Sequence, residues 1–180
     1  MRKFSMIGGS LVLVLALVAS PLRAQQDKSQ RPSPPASAKC ELASGKTVTI
    51  DYSSPRKKGR NIFPDLVKYG QVWRTGANEA TTFVTTGDVM VGGTHVPAGS
   101  YTLFTIPGKD KWTLIISKKT GEWGTDYPGE KEDLARVEMK AGTASAPVEN
   151  FTISFEKAGN GCNLKLTWDT TTASVSVGAM

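Results

Sequence analysis

From Lys46 onward the sequence alternates apolar and polar residues with a period of two, and that period admits one kind of backbone. In "KTVTIDY", Val48, Ile50 and Tyr52 share a face opposite Thr47, Thr49 and Asp51. "ARVEMK" sets Ala135, Val137 and Met139 against Arg136, Glu138 and Lys140, and "FTISFE" sets Phe151, Ile153 and Phe155 against Thr152, Ser154 and Glu156. "CNLKLTW" groups Cys162, Leu164, Leu166 and Trp168, and "ASVSV" groups Ala173, Val175 and Val177. Successive side chains of a strand point to opposite faces, so each run predicts a strand with one buried face.

The turn residues fall between these runs. Gly92-Gly93 in "VMVGGTHV" predicts a two-residue hairpin. Pro97 and Gly99 in "VPAGSY" suit a tight turn, and "PGKD" and "GNG" separate further strands. Eight or nine short strands joined by hairpins predict an all-β antiparallel sandwich, jelly-roll-like. One short helix is expected around Pro64 to Tyr69. There Phe63, Leu66 and Val67 can share a face, Pro64 suits a first turn, and Asp65 suits the positive end of the helix dipole.

Not all of the 180 residues are expected in that domain. Residues 1–24 read as a secretory signal: Arg2 and Lys3, then the apolar run "LVLVLALV", then a small residue at Ala24. The run is shorter than the roughly 20 residues that a membrane span needs, so no transmembrane segment is expected in the mature chain. Residues 25–39, "QQDKSQRPSPPASAK", have the composition of a disordered linker. Residues 40–180 suit one domain. Loss of Arg2, Lys3 and Arg23 with the signal lowers the net charge from +6 to +3. That modest excess is not organised along a helix or an aromatic-studded sheet, so nucleic acid is not an expected partner. In an exported chain the two cysteines, Cys40 and Cys162, are expected to form a disulfide.

The chain lacks the usual catalytic sets. A single histidine, His95, supports neither a metal site nor a Ser-His-Asp triad, and no cofactor motif is present. Carboxylates at Glu79, Asp126, Glu130, Glu132 and Asp133 leave open a hydrolase working with a carboxylate pair. "SPRKKGR" offers an anion-facing rim of Arg56, Lys58 and Arg60, against the plainer reading of a solvated loop.

The stretch "GQVWRTGANEAT", Gly70 to Thr81, interrupts the β pattern. Arg74 and Glu79 can pair there and lock a register, a purely structural role. Alternatively Arg74, Asn78 and Glu79 supply donors and acceptors for a polar ligand, with Tyr69, Trp73, Trp123 and Tyr127 as flat amphipathic surfaces.

Taken with "SPRKKGRNIF", "GDVMVGGTHVPAGSYTLFTIPGKDKWTLIISKKTGEWG" and "DLARVEMK", this stretch closely resembles a bacterial family of exported proteins identified only as a domain of unknown function, number twenty-nine eleven. The resemblance covers about Tyr52 to Phe155. It implies export, a single β-rich domain and a bacterial origin, and it supplies no reaction, substrate or cofactor. The chain departs from the family's pattern at Pro64, where Gly is expected, and at Lys68, where Pro is expected. The leading expectation is an exported, non-enzymatic binding module for a polar or carbohydrate-like ligand. The alternatives are a carboxylate-dependent hydrolase of envelope or extracellular glycans and a structural protein of the cell envelope.

Overall fold

The computed structural model describes residues 27–123 and 126–180. The expected signal segment lies outside them. Nine antiparallel strands form one sheet: β1 (Pro35–Glu41), β2 (Thr47–Ser53), β3 (Thr81–Thr85), β4 (Val89–Val91), β5 (Thr94–Val96), β6 (Gly99–Ile106), β7 (Lys111–Ser117), β8 (Asp133–Ala158) and β9 (Gly161–Ala179). Their order across the sheet is β1-β2-β3-β6-β7-β8-β9-β4-β5. The all-β antiparallel expectation holds, with the strands hydrogen-bonded into a single continuous sheet. No helix among the described residues is long and apolar enough to cross a membrane.

The Gly92-Gly93 hairpin joins β4 and β5, with φ values of 54° and 83°. Only a primed turn uses two positive φ angles in succession, which accounts for the glycine pair. The space is also tight: a Cβ on Gly92 would stand 2.3 Å from Val137 Cγ1.

Strands β8 and β9 are far longer than the usual five or six residues. Both run through a break. On β9 the buried residues switch from even positions (Cys162, Leu164, Leu166, Trp168) to odd ones (Ala173, Val175, Val177). A period-two strand keeps one inner face across such a switch only by inserting an odd residue. Asp169, with φ of 53°, lies at that point, where the β8–β9 register shifts around Val148. The distal part of the hairpin then meets β1, β2 and the chain after β2. Ile153 N–H donates to Tyr52 Oη at 3.0 Å, and Phe151 N–H donates to the Pro55 carbonyl at 2.9 Å. The inner faces of all nine strands therefore close over one core, with Phe83, Leu103, Leu114, Met139 and Leu166 among its sealed residues. The Cys40–Cys162 disulfide is present and ties edge strand β1 to the start of β9.

Two expectations are corrected. Residues 28–39 are not a linker. Lys28–Gln30 form one 3₁₀ turn, and Pro35–Glu41 form β1, paired along its length with β2. Ala36, Ala38 and Cys40 face the core in alternation, and Pro35 stands at the first strand position, where a missing N–H is tolerated. The helix expected from Pro64 to Tyr69 is a single turn, Ile62–Leu66, closed by Val67 N–H donating to the Ile62 carbonyl at 2.9 Å. Phe63 is extended (ψ 127°), as a residue before proline prefers, and the cis peptide Phe63–Pro64 follows it. Val67 is extended again.

Candidate functional site

Trp73 anchors the site. Its N–H donates to the Thr105 carbonyl at 2.7 Å, and its own carbonyl accepts from Thr105 N–H at 2.9 Å, docking the segment on the end of β6. The indole turns into the core. Trp168 stacks on it with planes 17° apart and centroids 5.9 Å apart, and Phe151 meets it edge-on at 4.9 Å.

Beyond Trp73 the backbone leaves the strand conformation. Thr75 has φ of 56°, an outlier for a β-branched residue. It is fully buried and held on both sides. Its hydroxyl donates to Thr105 Oγ1 at 3.1 Å, and its carbonyl accepts from Thr81 Oγ1 at 2.8 Å. Gly76 follows where space is tight: a Cβ there would lie 3.0 Å from both the Ser53 carbonyl oxygen and Thr81 Oγ1. Ala77 N–H donates to that same Ser53 carbonyl at 3.1 Å. Asn78, at φ of 56°, donates from Nδ2 to the Ser33 carbonyl at 3.0 Å. Four separate parts of the chain thus fix residues 73–78.

These contacts leave an open cleft of about 360 Å³, walled by Arg60, Leu66, Trp73, Arg74, Asn78 and Trp168. Its lining contains two guanidinium groups and no carboxylate. Arg74 is half-buried, and among the described residues its guanidinium has no hydrogen-bond or ion-pair partner; its Nε is sealed from solvent. Burial alone pushes its pKa down, because no counter-charge offsets the lost hydration. Buried charges are normally paired, so this one is the exception to be explained. Arg60 is exposed and steadied by backbone: its Nε donates to the Lys57 carbonyl at 2.9 Å and its Nη2 to the Arg56 carbonyl.

The rest of the basic loop is turned elsewhere. Arg56 Nη1 donates to Ser54 Oγ at 2.8 Å. Lys57 pairs with Asp169 at 2.6 Å. Lys58 is exposed, outside the cleft, with its N–H on Glu149 Oε1. Of the expected rim of Arg56, Lys58 and Arg60, only Arg60 faces the cleft.

Glu79 does not pair with Arg74. It sits on the other side of the segment, where Arg31 Nη1 donates to its Oε1 at 2.8 Å and its Oε2 at 3.1 Å, and Lys28 Nζ approaches at 3.1 Å. The Arg31 guanidinium, helped by Lys28, holds the Glu79 carboxyl down at about 2. The aromatic residues divide similarly. Tyr69 stacks on Phe63 rather than facing the cleft. Trp123 is 60% exposed, is not among the residues lining the cleft, and meets the segment through a backbone bridge to Glu79. Tyr127 packs edge-on against Phe104 on the outer face of the sheet; its hydroxyl donates to Asp133 Oδ2 and accepts from Arg136 Nη2, both at 2.8 Å. Trp73, Arg74 and Asn78 are therefore the expected ligand residues that share the cleft. Sequence reasoning missed Ser33, Pro55, Leu66, Val67, Ala77 and Trp168. Trp168 carried a signal, its place on a core-facing alternation, but nothing marked it as a wall.

Fold and site together define an all-β, disulfide-bridged protein with an arginine-lined cleft at one end of its sheet. The family model described as "Protein of unknown function (DUF2911)" matches residues 33–177, and the chain belongs to that family. No curated protein and no solved structure matches it.

Proposed function

We propose that this protein is an exported binding module that holds a small polar ligand in the cleft beside Arg74. The observation that carries the reading is the half-buried Arg74 guanidinium, without a partner among the described residues, opening on a cavity. A free cation at this depth costs stability, and a ligand that supplies the missing partner recovers it. The cavity volume lies at the lower end of the range for small-molecule sites, roughly 300–1,000 Å³. The part of its wall formed by residues 73–78 is held by backbone and side-chain contacts, which favours a preformed site. The carboxylates Glu79 and Asp133 are each engaged by cations away from the cleft, which favours binding over a carboxylate-pair hydrolase. The signal-like first 24 residues and the Cys40–Cys162 bridge support export to an oxidising compartment.

The test is a thermal-shift screen of residues 25–180 against sugars, amino acids, organic acids and phosphates, repeated on Arg74→Met. A ligand whose stabilisation disappears in the variant supports the reading. If nothing shifts the melting temperature, or every shift survives in Arg74→Met, the cleft is not a ligand site.

A further inference from the structure

We propose that the ligand is a small organic anion, its oxyanion head, carboxylate or phosphate, gripped by Arg74 and Arg60 and its apolar body laid against the exposed Leu66. The inference rests on the reading of the cleft as a ligand site and names what enters it.

The sign of the charge comes first. The lining carries two guanidinium groups and no acid, so a cation would meet two like charges in a partly desolvated space. Nearby acids do not neutralise it: Glu79 is held by Arg31 and Lys28, and Asp169 by Lys57.

The donor inventory comes second. Arginine offers five N–H donors in a planar fork that matches two oxygens of one carboxylate or phosphate. None of the five on Arg74 is engaged among the described residues, and two groups on Arg60 are spent on backbone carbonyls, which aims what is left. Side-chain acceptors in the lining are scarce. Asn78, whose Nδ2 donates to the Ser33 carbonyl, offers its Oδ1, which has no partner among the described residues, and Ser33 adds one hydroxyl. A sugar presents many hydroxyl donors and would leave most of them unanswered here. An oxyanion presents acceptors only.

The apolar wall comes third. Leu66 is one of three large hydrophobic residues exposed among the described residues, at 45%, and it stands at the cleft with Val67 and Pro55 beside it. Inorganic phosphate would leave that wall bare. An anion with a flat or branched hydrocarbon body covers it.

The experiment uses residues 25–180 and matched probes. Benzoate, indole-3-acetate and phenyl phosphate are titrated by tryptophan fluorescence and calorimetry beside benzamide, indole-3-acetamide, inorganic phosphate and maltose. The expected result is that each organic anion binds at least tenfold more tightly than its neutral amide or than inorganic phosphate, and that affinity falls as salt is raised. Arg74→Met should lose this binding and, with its unpaired charge gone, melt a few degrees higher. Should that variant fail to fold, Arg74→Lys keeps the charge without the fork and should bind at least several-fold more weakly. Arg74-dependent binding of maltose without preference for anions overturns this inference and leaves the ligand site standing. Equal binding of phenyl phosphate and inorganic phosphate overturns the apolar half of it. Failure of every probe, or binding untouched by the Arg74 variants, overturns both readings.

Discussion

Arg31 and Glu79, 48 residues apart in sequence, are joined head to head: one guanidinium nitrogen donates to both carboxylate oxygens, at 2.8 and 3.1 Å. This pair clamps the N-terminal segment against the stretch that carries Arg74 and Asn78. Its effect on stability has a definite sign. The folded-state pKa of Glu79, about 2, lies below its ordinary 4.5, so the stabilisation is present above about pH 4.5 and is lost as pH falls toward 2. With its side chain 36% exposed, solvent screening limits the contribution to about 1 kcal/mol. Urea unfolding at stepped pH is expected to show Glu79→Gln losing less stability than the wild type between pH 4.5 and 2. Identical acid limbs would remove the clamp from the account.

That clamp also shows where sequence reading stops. The strands were legible because burial imposes a period of two that composition does not hide, as in Val48, Ile50 and Tyr52. β1 was hidden because its inward residues, Ala36 and Ala38, are small and sit among Pro, Ser and Lys. Its alternation is real but its apolar area is slight. Trp73, Arg74 and Asn78 were legible as a break in pattern. Their company was not: Arg60 arrives from the loop after β2, Ser33 from the segment before β1, and Trp168 from the far end of the chain. Arg31 lay in a stretch whose composition resembles a linker. Pairings over such separations are set by strand order, which local pattern does not encode.

Gly76 is held by a close approach rather than by local flexibility. A Cβ would stand 3.0 Å from the Ser53 carbonyl oxygen and from Thr81 Oγ1, and the backbone oxygen cannot swing aside. Gly76→Ala is expected to cost about 1–3 kcal/mol in urea unfolding. Because residues 74–78 must shift to admit the methyl group, it should also weaken anion binding. Gly178→Ala, with open space at its Cβ, is the control and should change stability by no more than about 0.5 kcal/mol. Equal behaviour of the two variants would contradict the close approach.

The Cys40–Cys162 bridge closes a loop with a sequence separation of 122. On chain-entropy grounds such a closure stabilises by up to about 4–5 kcal/mol, as the open chain gains most from release. The double variant Cys40→Ser/Cys162→Ser is expected to unfold at a clearly lower urea concentration. Edge strand β1 should exchange its amide hydrogens first, since the bridge and its pairing with β2 hold it. Unchanged exchange in β1 would mean that its pairing alone suffices.

The basic loop separates a specific contact from a general field. Arg60 faces the cleft, while Lys58, two residues away, is exposed and outside it. Both substitutions, Arg60→Gln and Lys58→Gln, remove one positive charge from the same loop and change the long-range field almost equally. Only the first removes donors that the backbone carbonyls of Lys57 and Arg56 aim at the cavity. Titration with phenyl phosphate at physiological salt should therefore show Arg60→Gln weakened roughly tenfold or more, the loss expected for a charge-assisted hydrogen bond of about 1.5–3 kcal/mol. Lys58→Gln should stay within about twofold, because exposed charges beyond contact are screened over roughly 8 Å. Comparable losses in both variants would make the loop a diffuse attractor and take Arg60 out of the site.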